Sequence, residues 1–465
     1  MLRTSPHFDD DARHPALPAA VAMRTERAPD TPTGVGHALR LGAAVVLVGL
    51  AAGLAAMALA LLLHAVQHLA YDYSRDRLTG GASFLRGVAA APPWRRLAAL
   101  MAGGVVAGFG WYGVGRWGRP LVSVRAAVAG RDMPVATTTA HVLLQIVTVA
   151  LGSPLGREVA PREAGALLAQ QLGGALRLSA EERRVLAACG AGAGLAAVYN
   201  VPLAGALFVI EVLLATTRPA IAIQALATSG VATWVARFGL GNEAQYHMPA
   251  WPGGASLLIW ACLAGPPLGV AAVAYRTWMA RMRTLAPRDG WIMPLCLAAF
   301  GLTGLAAMAF PAIPGNGKGA MQLGLVDDLP AQAAISLLLI KLVVTAACLR
   351  AGAQGGLLTP GLTVGGLISL LLAVPAQSLG VALAPGACAC VGAAAFLGVA
   401  MNMPLTAIVL IIEFVPDGSE FLLPLLAAGV GSAAAAAIWR TQGAGPMPGS
   451  AHQMTALVAT RRVHA

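Results

Sequence analysis

Charge is scarce in this chain: Asp, Glu, Lys and Arg make up 11% of its 465 residues, while 57% are hydrophobic and mean hydropathy is +0.72. So little charge excludes an ordinary soluble globular domain. Whole stretches lack it: 41–71, 97–115, 134–156, 185–210, 251–275 and 291–317 hold no Asp, Glu, Lys or Arg. Several exceed the roughly 20 residues that cross hydrocarbon, so the chain reads as an all-α polytopic membrane protein. Cysteine is also sparse, with six residues and no ligand spacing beyond a lone Cys388-Ala-Cys390, which favours packing thiols and gives no cofactor or metal site. No short apolar stretch and small-residue cleavage site stands before residue 40, so residues 1–40 are expected to remain as a polar tail.

What charge there is lies mainly in loops, with a formal net charge of +11. In a membrane protein this excess reflects topology and anion attraction, and nucleic acid is not an expected partner. One exception sits between two apolar segments, where Gly152-Ser-Pro-Leu-Gly-Arg-Glu-Val-Ala-Pro-Arg-Glu163 carries Arg157, Glu158, Arg162 and Glu163. Pro154 and Gly156 forbid continuous helix from Leu143, and a new helix is expected from Glu158 to Gly173. A helix broken inside a membrane exposes N–H groups and a partial positive charge, and an anion or a carboxylate settles there.

The second half repeats the signals of the first. Asn200-Val-Pro-Leu and Glu211 recur as Asn402-Met-Pro-Leu and Glu413 at an offset of 202, and Pro161 and Gly118 pair with Pro360 and Gly317 at an offset of 199. Matched interruptions in two halves place a site at their interface near the bilayer midplane. The expected division is a tail (1–40), two membrane repeats (41–240 and 241–440) and a short C-terminal segment (441–465), with helix starts near Pro120, Glu158, Leu357 and Pro404. Breaks in the uncharged run 351–412 are expected at Gly355-Gly356, Pro360, Pro375, Pro385 and Pro404. Converging helix N-termini favour a small anion, and Glu158 is then a carboxylate able to fill the site itself or, once protonated, to leave it. The bland alternative is an ion pair of Glu158 with Arg157 or Arg162. Glu211 and Glu413 either relay protons or cap helix ends, and Lys341 either snorkels or neutralises the pore. His64 and His68, four residues apart, raise a distant reading as an intramembrane metalloenzyme, but no third ligand is visible.

These motifs resemble the ClC family of chloride channels and chloride/proton antiporters. Gly156-Arg-Glu-Val-Ala160 is similar to the family's Gly-(Lys/Arg)-Glu-Gly-Pro, Gly356-Leu-Leu-Thr-Pro360 to its Gly-x-Phe-x-Pro, and Asn200 to Glu211 to the segment between; Lys341 and Thr345 match the approach to the second motif. The resemblance implies inverted repeats of many tilted and broken helices, one pore per subunit, a homodimer in the lipid bilayer, cytoplasmic termini and, for a prokaryotic-type member, the inner membrane. It makes Glu158 the gate, flanked by Arg157 and Val159, and gives anion binding to the amides of Leu357 and Leu358 with Thr359 beside them. Arg119 falls near the filter serine, with Ser123 serving under a shifted alignment. The pore tyrosine near the last helix is missing, leaving Ser450 or His452. The short segment after residue 440 gives no expectation of the nucleotide-binding modules that some members carry. Proton-path candidates are Glu211 and Val212, and since antiporters carry glutamate where Val212 stands, the expected function is passive chloride movement through a glutamate-gated pore. Fluoride or another anion, or exchange with protons by another route, is the alternative.

Overall fold

The computed structural model describes residues 34–73, 84–249, 251, 254–326, 329–416 and 418–443. Among them the backbone forms helices and no strand, with one isolated bridge between Gly156 and Gly356. The first half contains α1 (Val35–Tyr71), α2 (Phe84–Ala90), α3 (Pro93–Trp117), α4 (Val124–Val128), α5 (Val135–Ala150), α6 (Val159–Ala175), α7 (Ala180–Tyr199), α8 (Pro202–Phe208) and α9 (Pro219–Leu240). The second contains α10 (Ala255–Thr284), α11 (Ile292–Ala309), α12 (Lys318–Leu325), α13 (Ala331–Arg350), α14 (Leu358–Ser378), α15 (Pro385–Ala400), α16 (Pro404–Phe414) and α17 (Leu422–Gly443). Starting at α3 and α11, the elements correspond one to one: α3 with α11, α6 with α14, α8 with α16, α9 with α17. Among the described residues, eight helices are long and apolar enough to cross a membrane.

Punctuation works as the sequence dictates at most breaks. Ser179 opens α7 with a capping box, its hydroxyl accepting from the Glu182 amide while the Glu182 carboxylate accepts from the Ser179 amide. Asn200 and Asn402 both adopt the left-handed conformation, at φ 59° and 54°, which ends α7 and follows the end of α15. Asparagine tolerates that region better than most residues, and the proline two positions later opens the next helix.

Four expectations change. Residues 35–40 belong to α1, not to a tail. No helix begins at Pro120; α4 begins at Val124, because Ser123 caps it by accepting from the Ala126 amide at 3.2 Å. Pro360 and Pro375 do not break α14. Pro360 stands in the first turn, where a missing N–H costs no helical bond. Finally Lys341, 1% exposed, does not snorkel: its ammonium donates to the carbonyls of Ile313 and Gly315. Gly315 donates in turn to the Gly152 carbonyl at 2.9 Å, so the lysine braces the turn behind the broken segment.

Helices α6 and α7 meet through backbone. A Cβ added at Gly165 would strike the Gly190 carbonyl, one at Gly190 the Gly165 carbonyl, and one at Gly194 the Pro161 carbonyl. Small residues permit this approach, and dispersion between the helices holds it in lipid. Gly165→Ala should therefore cost about 2 kcal/mol or more by overpacking, whereas Gly174→Ala on the same helix, with nothing within 4 Å, should be neutral or slightly stabilising. Thermal unfolding in detergent measures both.

Candidate functional site

The broken segment is shaped by what ends α5. Gly152 takes φ +109° and turns the chain, and the strand-like stretch that follows pairs with the other half. The Gly156 amide donates to the Gly356 carbonyl at 2.7 Å and the Gly356 amide to the Gly156 carbonyl at 2.9 Å. Helix α14 begins two residues beyond Gly356 and α6 three residues beyond Gly156. The bridge thus brings the starts of two corresponding helices together.

Glu158 stands at the N-cap of α6 and is 0% exposed. Its carboxylate does not cap its own helix. Oε1 accepts from the Leu358 amide at 2.8 Å, at the first residue of α14, and Oε2 accepts from the Tyr199 hydroxyl at 3.3 Å. A Cβ on Gly156 or Gly356 would occupy the space of this carboxylate, so the two glycines leave room for it and a side chain at either would push it out. Among the described contacts Glu158 makes no ion pair; Arg162 instead donates from Nε to the Glu158 backbone carbonyl at 3.0 Å, with its guanidinium 5.2 Å from the Phe208 ring. The Arg157 guanidinium lies 5.2 Å from the Tyr199 ring, a cation–π distance, and its Nε is buried without a hydrogen-bond partner.

Other expected residues fall at varied distances from this centre. Val159 is the first residue of α6 and half-buried, Leu357 is the N-cap of α14, and Leu358 and Thr359 are buried in its first turn. The Thr359 hydroxyl lies 2.9 Å from that of Tyr199. Arg119 is exposed, and its amide donates to the Thr137 hydroxyl at 3.0 Å, which gives it no described contact with Glu158. Ser123 is engaged as the cap of α4. His68 donates from Nδ1 to the Tyr73 carbonyl at 2.9 Å and stacks on Tyr73, and no group of three or more His, Cys, Asp or Glu among the described residues is placed to hold a metal. Ser450 and His452 lie outside the described residues.

Glu211 and Glu413 make a reciprocal pair. The Glu211 carboxylate accepts from the amides of Leu405 (2.9 Å) and Thr406 (2.7 Å) and from the Thr406 hydroxyl (2.6 Å) at the start of α16. Glu413 accepts from the amides of Leu203 (3.0 Å) and Ala204 (2.8 Å) at the start of α8. Each half therefore caps the other's helix with a carboxylate, the better of the two expected roles on this geometry. Val212, next to Glu211 in a short π-helical turn (Val209–Leu213), is half-buried against the apolar core.

Two features carry no sequence signal read above. Tyr199 reaches Glu158 and Thr359 only through tertiary packing. Glu163 accepts from Gln145 Nε2 at 2.9 Å and lies 3.7 Å from His141 Nε2, while Trp111 donates to His141 Nδ1 at 3.2 Å, forming a buried polar cluster between α3, α5 and α6.

Comparison with known proteins agrees with this architecture. The family whose description is voltage gated chloride channel matches residues 98–437. A protein of Ralstonia nicotianae described as a putative chloride channel protein ClcB-like is 31% identical over 352 residues, covering 73% of this chain and 82% of its own length. Among solved structures, a slow cyanobacterial Cl−/H+ antiporter superposes with a TM-score of 0.73 at 20% identity, over 88% of this chain and 96% of its own. A CLC-type fluoride/proton antiporter superposes with a TM-score of 0.60 at 19% identity, over 86% of this chain and 96% of its own.

Replacing Glu211 or Glu413 by Ala should each lower stability by about 1–2 kcal/mol, since each leaves two helix-start amides unpaired. Chemical or thermal unfolding of the purified protein reads this, and unaltered stability in both variants would remove the capping role.

Proposed function

The chain belongs to the voltage gated chloride channel family, a multi-pass membrane protein with an anion-transporter fold, and we propose that it passes chloride down its gradient through a path gated by Glu158. One observation carries the reading: a fully buried carboxylate occupies the free amide at the head of a broken helix, the place that a small anion would take. While ionised, Glu158 is the occupant and the path is shut. Protonation removes the charge that the Leu358 amide and the helix start attract, the carboxyl leaves, and chloride enters in its stead.

On this reading Arg157 draws anions toward the site, and Val159, Leu357, Leu358 and Thr359 form its wall. Passive movement is supported by Val212, an apolar side chain that cannot carry a proton, and by the commitment of Glu211 to the α16 cap. The working assembly is a homodimer in the plasma membrane. A second reading, proton-coupled exchange, is favoured by the Glu163–His141 cluster, a buried acid on the helix that Glu158 opens facing a histidine of α5.

Proteoliposomes separate the two. Chloride efflux through the wild type should rise on acidification, while Glu158→Gln should stay open and vary less than about twofold with pH, having no carboxylate to titrate. An unchanged pH response in that variant would take Glu158 out of the gate. Uphill proton movement driven by a chloride gradient would replace passive flow by exchange, and fluoride outrunning chloride would change the substrate.

A further inference from the structure

We propose that Tyr199 is an anion ligand, its hydroxyl donating to whichever anion replaces the Glu158 carboxylate at the head of α14 and thereby setting which anions bind there. The inference rests on the reading of Glu158 as an occupant of the anion site and adds to it the side-chain donor that the site otherwise lacks. Neither candidate from the sequence fills that place: Arg119 is exposed and the Ser123 hydroxyl caps α4.

The direction of donation follows from the inventory of protons. A phenol has one proton to give, and an ionised carboxylate only accepts. With the Tyr199 hydroxyl 3.3 Å from Glu158 Oε2 and 2.9 Å from Thr359 Oγ1, the tyrosine gives its proton to Glu158 and receives one from Thr359. The chain Thr359 to Tyr199 to carboxylate is polarised toward negative charge before any anion arrives, and successive bonds of this kind strengthen one another. An anion in the carboxylate's place meets the Leu358 N–H and the Tyr199 O–H, two donors already aimed. The ring cannot easily turn away: Tyr199 is 3% exposed, edge-on to Phe414 at 5.5 Å between centroids and beneath the Arg157 guanidinium at 5.2 Å.

Selectivity follows from the chemistry of the donors. Small, strongly hydrated anions lose most on leaving water and depend most on charge-assisted hydrogen bonds, so removing the hydroxyl penalises fluoride more than chloride, and chloride more than a large weakly hydrated anion such as thiocyanate.

Tyr199→Phe in the full chain tests this, since it keeps the ring and its packing. In a Glu158→Gln background, where no carboxylate competes, calorimetry should show chloride binding weakened about tenfold. Flux from proteoliposomes should shift toward thiocyanate over chloride. A fluorinated tyrosine at 199, a stronger donor, should move both readouts the opposite way and serves if the Phe variant folds poorly. Unchanged chloride affinity and unchanged selectivity in both variants would overturn the ligand role while leaving the gate intact. A fall in thermal stability without a change in selectivity would also overturn it, reducing Tyr199 to packing. Failure of the gate itself would be seen separately, as a wild-type protein without anion flux or a Glu158→Gln variant with the wild-type pH response.

Discussion

A carboxylate from one half of the chain satisfies an amide at the start of a helix in the other half, and the rest of the structure is arranged so that it can. In hydrocarbon no water is at hand to pair an unsatisfied N–H, so each interrupted helix needs a partner for its first turn. Glu158 supplies one at α14, Glu211 at α16 and Glu413 at α8. The last two are held by two helix-start amides each, whereas Glu158 has one amide and one long bond from a hydroxyl. The same chemistry is thus firm where it fastens the halves and weak where an anion must be able to compete.

Holding Glu158 in place takes support from further back. The Gly156–Gly356 bridge fixes the backbones, and the turn at Gly315 ties to Gly152 while Lys341 fills its carbonyls. That explains a buried lysine with no ion pair among the described contacts: carbonyl oxygens take its protons.

Much of this was legible in the chain. Glu158, the two Asn-x-Pro-Leu signals and the break at Gly355-Gly356 are local events in which glycine, proline or a charge interrupts an apolar run, and such interruptions have few physical explanations in a membrane. Prolines in a first turn were harder, because Pro360 forbids nothing where no helical bond is due. Ser123 displaced the start expected at Pro120 by offering a hydroxyl cap three residues on. Tyr199 was out of reach for another reason: within Ala-rich sequence it looks like any packing aromatic, and its partners are 41 and 160 residues away in the chain. The Glu163–His141 pair was hidden likewise, being formed by the packing of α5 on α6.

The bridge between Gly156 and Gly356 joins two corresponding helix starts, and two residues beyond it an acid stands on one side alone: Glu158 against Leu358. Two equal helix starts left alone would face the site as equals, and the passage between them would read the same from either end. One acidic side chain abolishes that equivalence. A passage assembled from matched halves acquires a front and a back from one carboxylate, on a scaffold whose halves correspond helix by helix.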